Sequence, residues 1–351
     1  MTSVVLDGVA VGPGHPPYVV AELSANHNGD LQRALAIMDA GSAAGAHAVK
    51  LQTYTADTLT IDHDGPGFRI EGGLWHGRTL YDLYNEASTP WEWHPTLFEH
   101  GRELGITVFS SPFDESAVEY LESLNAPAYK IASFEAIDLA LIQAAASTGK
   151  PLIISTGMAD MDEIGEAIET AKSAGCQSLV LLHCVSSYPA PADQYNLKTL
   201  ADMAHRFGVL VGLSDHTLGT SVATASVALG AVMIEKHFTL ARADGGPDSA
   251  FSLEPAELSE LVTAADTAWH ALGQVNYERT PAEHANTVFR RSLYVVKDVR
   301  AGELLTTNNV RCIRPGFGLA PKYLSKVVGR PATRDLSRGE PLENGMWALD
   351  G

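Results

Sequence analysis

The chain has 351 residues, 45% of them hydrophobic, with 24 basic against 42 acidic side chains and a formal charge of −18. That length can bury a substantial core, with room for one large domain and one small one. The acidic balance argues against a nucleic-acid or anionic-membrane surface, so any bound anion must be held by locally placed cations. No run reaches the roughly 18 apolar residues of a membrane span, and the start MTSVVLDGVAVG lacks the charged head and long apolar centre of a signal peptide, so a cytoplasmic location is expected. Cys176, Cys184 and Cys312 are too few and too scattered for a disulfide framework or a metal knuckle, which suits a reducing compartment.

Along the chain one unit recurs: a short apolar, β-branched run, then small polar residues, then a helical pattern. The runs are YVVAELSAN, AHAVKLQTY, ITVFSSPF, AYKIASFE, PLIISTGM, LVLLHCVSSYP, LVGLSDHT and VMIEKHFTL. After the first, Leu31, Ala34, Leu35 and Met38 fall on one helical face. The connection after the second, Thr55 to Ser88, is long for a barrel and carries Trp75, Arg78, Tyr81 and Tyr84; these either close over a ligand or pack against the barrel or a neighbouring subunit. Thr89-Pro-Trp-Glu92 has the form of a capping box with proline at the first helical position, which predicts a helix start ahead of the third run. Ile164, Ala167, Ile168 and Ala171 line a helix after the fifth run, and Glu254-Pro255 opens the last, with Leu258, Leu261, Val262 and Ala265 inward. Eight strand-then-helix units predict an α/β fold closed as a (β/α)8 TIM barrel. A doubly wound open sheet has no need of eight such units, and no GxGxxG follows a strand. The barrel should span 1–273, followed by a polar, helix-poor linker at 274–289. A small domain, 290–351, contains the strand-like pieces SLYVVKDV, VRCIRPG and VVGRPATRDL.

In such barrels the active site lies at the C-terminal ends of the strands, and every run here ends in polar residues. Alternation puts Ser214 and His216 on one face of the seventh strand, and Glu235 and His237 on one face of the eighth, with Lys236 opposite. Two imidazoles on adjacent strand ends can share one divalent cation and leave positions open for substrate oxygens and water; a pair of core histidines satisfied by carbonyls is the alternative. Lys50 and Lys130 lie inside apolar strands, where an unpaired ammonium would be costly, so each needs an anionic partner. Glu22, Glu135 or Glu235 could supply it. A bound phosphate or carboxylate is favoured, with Ser110, Ser133, Ser155 and Ser214 as neutral donors around it. Without a Walker loop, a nucleoside triphosphate is not expected.

The segments AELSANHNG, VKLQTY, YKIAS, ISTGM, GLSDHT, IEKHFT and GPDSAFSLEP, followed by RRSLYVV and RPGFG, span nearly the whole chain. In that order they resemble the sialic acid synthase family. ELSANH and WHGRTLYDLYNEASTPWEWH resemble its pseudaminic acid synthase branch in particular. The resemblance implies a metal-dependent condensation of phosphoenolpyruvate with an open-chain amino-sugar aldehyde and water, releasing phosphate and a nine-carbon 2-keto sugar acid. In that branch the aldehyde is 2,4-diacetamido-2,4,6-trideoxy-L-altrose; N-acetylneuraminate and legionaminate synthases are the nearby alternatives. It further implies that Lys50, Ser110, Lys130, Ser133, Ser155, Ser186 and Ser214 hold phosphoenolpyruvate, Ser186 standing in CVSSYP where many relatives have asparagine. His216 and His237 would hold manganese or magnesium. Glu22, Gln52, Tyr188 and Asp248 would meet the sugar. Such a reaction also wants a carboxylate to move a proton, Glu22 first, with Glu135 or Glu235 in reserve. The tail resembles the antifreeze-like (SAF) domain of the family, which completes a domain-swapped homodimer and supplies Arg314 to the sugar. Two other classes stay open: a Schiff-base aldolase with Lys130 as nucleophile, and a carbohydrate-binding protein on an inactive barrel.

Overall fold

The computed structural model of the chain describes residues 3–348. It divides into two compact units, Met1–Gly273 and Gln274–Gly351. Among the described residues no helix is long and apolar enough to cross a membrane.

The first unit opens with a hairpin, β1 (Val4–Leu6) and β2 (Val9–Val11). Each of the eight predicted runs then supplies one barrel strand: β3 (Tyr18–Glu22), β4 (Ala48–Thr53), β5 (Thr107–Pro112), β6 (Tyr129–Ile131), β7 (Leu152–Ser155), β8 (Leu179–Cys184), β9 (Leu210–Ser214) and β10 (Met233–His237). They pair in parallel and in sequence, and β10 returns to β3 to close the barrel.

Because side chains alternate along a strand, each strand feeds two cores. Val20, Ala48, Phe109, Ile153, Val180, Leu182 and Met233 fill the barrel interior. Val19, Val49, Leu51, Ile131, Ile154, Leu181, Leu213 and Ile234 face outward into the layer shared with the helices. Gly212 is needed inside: a Cβ there would stand 2.4 Å from the Met233 carbonyl oxygen and 2.7 Å from Leu182 Cδ2. The hairpin contributes Val4, Leu6 and Val11 to the interior cluster, beside the first residues of β3 and β4, so it stoppers the N-terminal end. Its turn is Asp7-Gly8, both at positive φ (46° and 83°). That Asp-Gly pair is a strong hairpin signal, and sequence reasoning passed over it.

The helices bury the faces that their spacing predicts. Leu31–Ala43 turns Ala34 and Met38 inward, Met161–Ser173 turns Ala167, Ile168 and Ala171, and Pro255–Leu272 turns Leu258, Leu261 and Ala265. One start is corrected. The helix before β5 is His94–Leu104, preceded by a 3-10 turn at Trp91–Trp93. Pro90 keeps an extended ψ of 131° rather than opening the helix, and the Thr89 hydroxyl is buried with no hydrogen-bond partner.

In the second unit β11 (Ser292–Val295) and β12 (Val310–Ile313) pair antiparallel. Leu293, Val295, Val299, Leu305, Val310, Leu336, Leu342 and Trp347 form its core. The third strand-like piece, VVGRPATRDL, makes only isolated bridges, Leu304 to Pro331, Ala332 to Trp347 and Val299 to Leu336. The stretch expected to be a helix-poor linker is largely exposed but holds a helical turn, Pro281–His284, where the Thr280 N–H donates to Glu283 Oε2 at 2.9 Å.

Candidate active site

Strand register decides which side chains meet. Glu22 on β3 stands opposite Lys50 on β4 and His237 on β10, while Glu235 stands opposite Ser214 on β9. Lys50 Nζ lies 3.0 Å from Glu22 Oε2 and 3.2 Å from Glu235 Oε1, and donates to Ser111 Oγ at 3.3 Å. Lys130 Nζ lies 3.2 Å from the same Glu235 oxygen, which also accepts from Ser214 Oγ at 3.3 Å. None of these four charged side chains is more than 5% exposed. Of the two partners weighed for the lysines, the carboxylates are therefore in place, two acids to two ammonium groups. Burial opposes the Glu235 charge, but Lys130 and Lys50 together hold its carboxyl well below the usual range. Burial raises Glu22, and Lys50 offsets this only in part.

The predicted phosphoenolpyruvate residues sort by strand phase. Ser155 follows Ile153 on the interior face of β7, and its hydroxyl is buried with no hydrogen-bond partner. Ser133 and Ser186 converge on Gly157, where a Cβ would stand 2.7 Å and 2.3 Å from their hydroxyl oxygens. This leaves a hydroxyl-lined cradle that any side chain at 157 would fill. Ser110 does not join it. On β5 the inward residues are Phe109 and Ser111; Ser110 faces outward, 2.6 Å from Thr53 Oγ1, which is in turn 2.8 Å from His94 Nε2. The sequence SSPF contains both serines, and the strand's phase gives Lys50 the second.

His216 and His237 do meet, with ring centroids 5.3 Å apart. His216 Nδ1 is 3.1 Å from the Val185 carbonyl oxygen. If Nδ1 donates there, the lone pair is left on Nε2, the arrangement that orients a ligating imidazole. His237 Nδ1 is buried without a hydrogen-bond partner, 4.0 Å from Asp248 Oδ2. Burial, with His216 and Lys50 nearby, holds its pKa well below 6.5, so it is neutral. For His216 burial also disfavours the charge, but Cys184, the Val185 carbonyl and Glu235 outweigh it and raise the pKa. A divalent cation on both rings would therefore have to displace a proton from His216 while finding the His237 lone pair free. Among the described residues no group of three or more His, Cys, Asp or Glu is arranged to hold a metal by itself, so a cation on these two nitrogens would take its remaining ligands from substrate and water.

Above the charges lies a cavity of about 470 Å³ lined by Ser24, Gln52, Glu135, Ser186, Tyr188, His237 and Asp248, among others. Gln52 Nε2 donates to Glu22 Oε1 at 2.9 Å and to Ser24 Oγ at 3.1 Å, and Ser24 Oγ donates to Asp248. Tyr188 packs on His216 at 4.4 Å and on Phe251 at 5.2 Å. Glu135 has a buried oxygen with no partner, and burial pushes its pKa up to about 7. The long connection divides. Trp75 and Tyr84 line the cavity, whereas Arg78 pairs with Glu86 and Tyr81 donates to Asp57, both on the exposed side. Arg314 belongs to the second unit and is exposed there.

Sequence reasoning also missed what holds His216. Lys236, on the outward face of β10, donates to Asp215 Oδ2 at 3.0 Å and to the carbonyls of Thr217 and Gly219 at 2.6 and 2.9 Å. Tyr195 Oη accepts from the His216 N–H at 2.8 Å and donates to the Ser214 carbonyl at 3.0 Å. The loop carrying the imidazole is thus tied from both sides. Lys236→Met leaves Asp215 buried and unpaired, so urea denaturation should show a loss of about 3–5 kcal/mol.

A closed parallel barrel with interlocked ammonium, carboxylate and imidazole groups at the C-terminal ends of its strands defines a barrel enzyme. The NeuB family pattern matches residues 37–277, and a SAF domain matches residues 290–346. The chain belongs to the NeuB family. It is 45% identical over 328 residues to the pseudaminic acid synthase of Helicobacter pylori, covering 93% of this chain and 96% of that one. It is 38% identical over 337 residues to the N,N'-diacetyllegionaminic acid synthase of Legionella pneumophila, covering 94% and 93%. The crystal structure of N-acetylneuraminic acid synthetase from Leptospira borgpetersenii, in complex with citrate, superposes with a TM-score of 0.73 at 31% identity, covering 81% of this chain and 95% of that one.

Proposed function

We propose that this protein is a pseudaminic acid synthase, condensing phosphoenolpyruvate, 2,4-diacetamido-2,4,6-trideoxy-L-altrose and water to pseudaminic acid and phosphate. The observation that carries this reading is the 45% identity to the H. pylori enzyme over 93% of the chain. The buried Glu22, Lys50, Glu235 and Lys130 network agrees with it.

Lys130 meets one carboxylate in this network and an ammonium has three donors. It can therefore turn to an incoming phosphate together with the unpartnered Ser155 hydroxyl and the Ser133–Ser186 cradle. Lys50 and Ser214 complete that end. A divalent cation, manganese or magnesium, held by His216 and His237 would supply Lewis-acid polarisation of the aldehyde carbonyl. Gln52, Tyr188 and Asp248 orient the sugar so that carbon 3 of phosphoenolpyruvate meets that carbonyl, and positioning of this kind removes much of the entropic barrier. Water captures carbon 2, and the tetrahedral centre expels phosphate against the lysines and serines. Glu135, which lines the cavity and whose pKa burial pushes up to about 7, would move the proton, with Glu22, likewise raised to about 7 by burial, as the alternative.

The test is phosphate release from phosphoenolpyruvate with the altrose derivative, the legionaminate precursor and N-acetylmannosamine, each with and without chelator. Preference for the altrose derivative and loss of activity on chelation are expected; preference for N-acetylmannosamine overturns the branch. One observation favours a second reading: burial lowers the Lys130 pKa, as a Schiff-base lysine requires. Borohydride trapping with pyruvate should leave the chain unmodified if it is a synthase.

A cytoplasmic homodimer belongs to the same proposal. Phe134, Ile137, Met158 and Leu218 follow β6, β7 and β9 at the barrel mouth and are 57%, 61%, 75% and 65% exposed. A second copy would cover them, and Arg314 is proposed as a sugar contact made in the dimer. Light scattering should give twice 37.4 kDa, and Phe134→Asp with Met158→Asp should shift the protein to monomer.

A further inference from the structure

We propose that the apolar wall formed by Ile70, Leu80 and Leu83 receives the deoxygenated terminal carbon of the sugar, so that these residues select a 6-methyl over a 6-hydroxymethyl aldehyde. The inference rests on the condensing function proposed above. It adds which part of the substrate the 55–88 connection reads.

The cavity has two kinds of lining. Strand ends and the segment around Asp248 provide Ser24, Gln52, His237 and Asp248, and the turn after β6 provides Glu135. The connection provides Leu59, Ile70, Leu80 and Leu83, and no charged side chain of that connection joins the lining. Ile70 and Leu80 are only half-buried, although the backbone of both is hydrogen-bonded. The Ile70 N–H donates to the Arg78 carbonyl at 2.9 Å, and the Leu80 N–H to the Phe68 carbonyl at 2.8 Å. Apolar side chains on hydrogen-bonded backbone that face open cavity space form an apolar subsite rather than part of the core.

The wall is fixed to the chemistry. Trp75 Nε1 donates to the Pro247 carbonyl at 2.9 Å, next to Asp248, and the Trp75 ring packs on Tyr188 at 5.6 Å. Tyr84 packs edge-on to Tyr54 at 6.1 Å. The aldehyde must lie at the imidazole and carboxylate end, so an open-chain sugar runs outward from there and its last carbon is left to the connection. A methyl at that point sheds water from two apolar surfaces. A hydroxyl there would be desolvated against leucine and isoleucine, with no donor or acceptor from these side chains to replace its lost hydrogen bonds.

The test compares aldehyde pairs that differ only at carbon 6, deoxy against hydroxy, in both the altrose and the N-acetylmannosamine series. With the unaltered protein the deoxy member should be favoured in kcat/KM by about 10–100-fold. Ile70→Asn and Leu80→Gln should narrow that ratio several-fold while the KM for phosphoenolpyruvate serves as internal reference. Failure to use the altrose series with use of the other overturns the proposed branch and leaves the wall testable in that other series. Binding of the corresponding alditols, which cannot react, is measured in parallel by calorimetry. Equal affinity for the deoxy and hydroxy members overturns the wall whatever the turnover, as does a loss in the variants that is equal for both members.

Discussion

Glu235→Gln is expected to lower phosphate release by about 10²–10³ in kcat, the range seen when one charge-stabilising group is removed from a reacting centre. It should also destabilise the protein by about 3–5 kcal/mol, because a buried ammonium loses its counterion. The single oxygen Glu235 Oε1 is shared by Lys50, Lys130 and Ser214. Lys50 would keep Glu22 at 3.0 Å, whereas Lys130 would face a neutral amide and be driven to release its proton. The stability can be separated from the catalysis: Lys130→Met combined with Glu235→Leu should regain most of the folding free energy in urea and none of the activity, since a well-packed apolar pair replaces a buried ion pair at little net loss. Recovery of activity in that double variant would remove the network from the mechanism. The pH dependence follows from the depressed Glu235 pKa. A carboxyl lowered in the folded state adds stability above its unfolded pKa and loses it as pH falls through the folded value. In the wild type this contribution should therefore be intact at neutral pH and decline only in strong acid.

Glu135→Gln should separate activity from stability in the opposite sense. Loss of a positioned acid–base group should lower kcat by about 10²–10⁴. Yet burial holds the Glu135 pKa at about 7, above its unfolded value, so the folded state binds more protons between those limits. Stability from this group is full below the unfolded pKa and is lost as pH rises through about 7. Glutamine removes that loss. Urea titration at pH 8 should find the variant more stable than wild type by about 1–3 kcal/mol, with little difference at pH 5. Equal stability at both pH values would mean that Glu135 is ionised in the folded protein and not poised for proton transfer.

Much of this architecture was legible before any coordinates. The eight strands were readable because buried parallel strands are continuous apolar runs, and polar strand ends such as Glu235 and His237 break that pattern where a barrel places its chemistry. The pairing of His216 with His237 and the outward turn of Lys236 followed from alternation alone. Alternation could not supply phase where two like residues adjoin, so Ser110 was chosen and Ser111 was the one that faced Lys50. Nor does periodicity see backbone contacts: the ties of Lys236 to the Thr217 and Gly219 carbonyls carry no sequence signature. The β1–β2 hairpin and the Thr280 turn differ from these, since Asp7-Gly8 and TPAE are local signals that a closer reading would have used. The apolar lining at Ile70 lay in a stretch without strand or helix periodicity, whereas Leu80, Leu83, Tyr84 and Ala87 stand at i, i+3, i+4 and i+7 of the helix Leu80–Ala87, a local signal passed over because only the aromatic residues had drawn notice.

Gln52 lines the cavity while Lys50, two residues earlier on the same strand, does not; amide and ammonium grip the two oxygens of the one Glu22 carboxylate, at 2.9 and 3.0 Å, with the ammonium beneath. A sugar seated against Gln52 would cover that ammonium from the cavity side. Under the proposed reaction, the enol phosphate must load ahead of the sugar, and inorganic phosphate must wait for the nine-carbon acid to vacate the mouth. Turnover would then follow a compulsory order of arrival and departure.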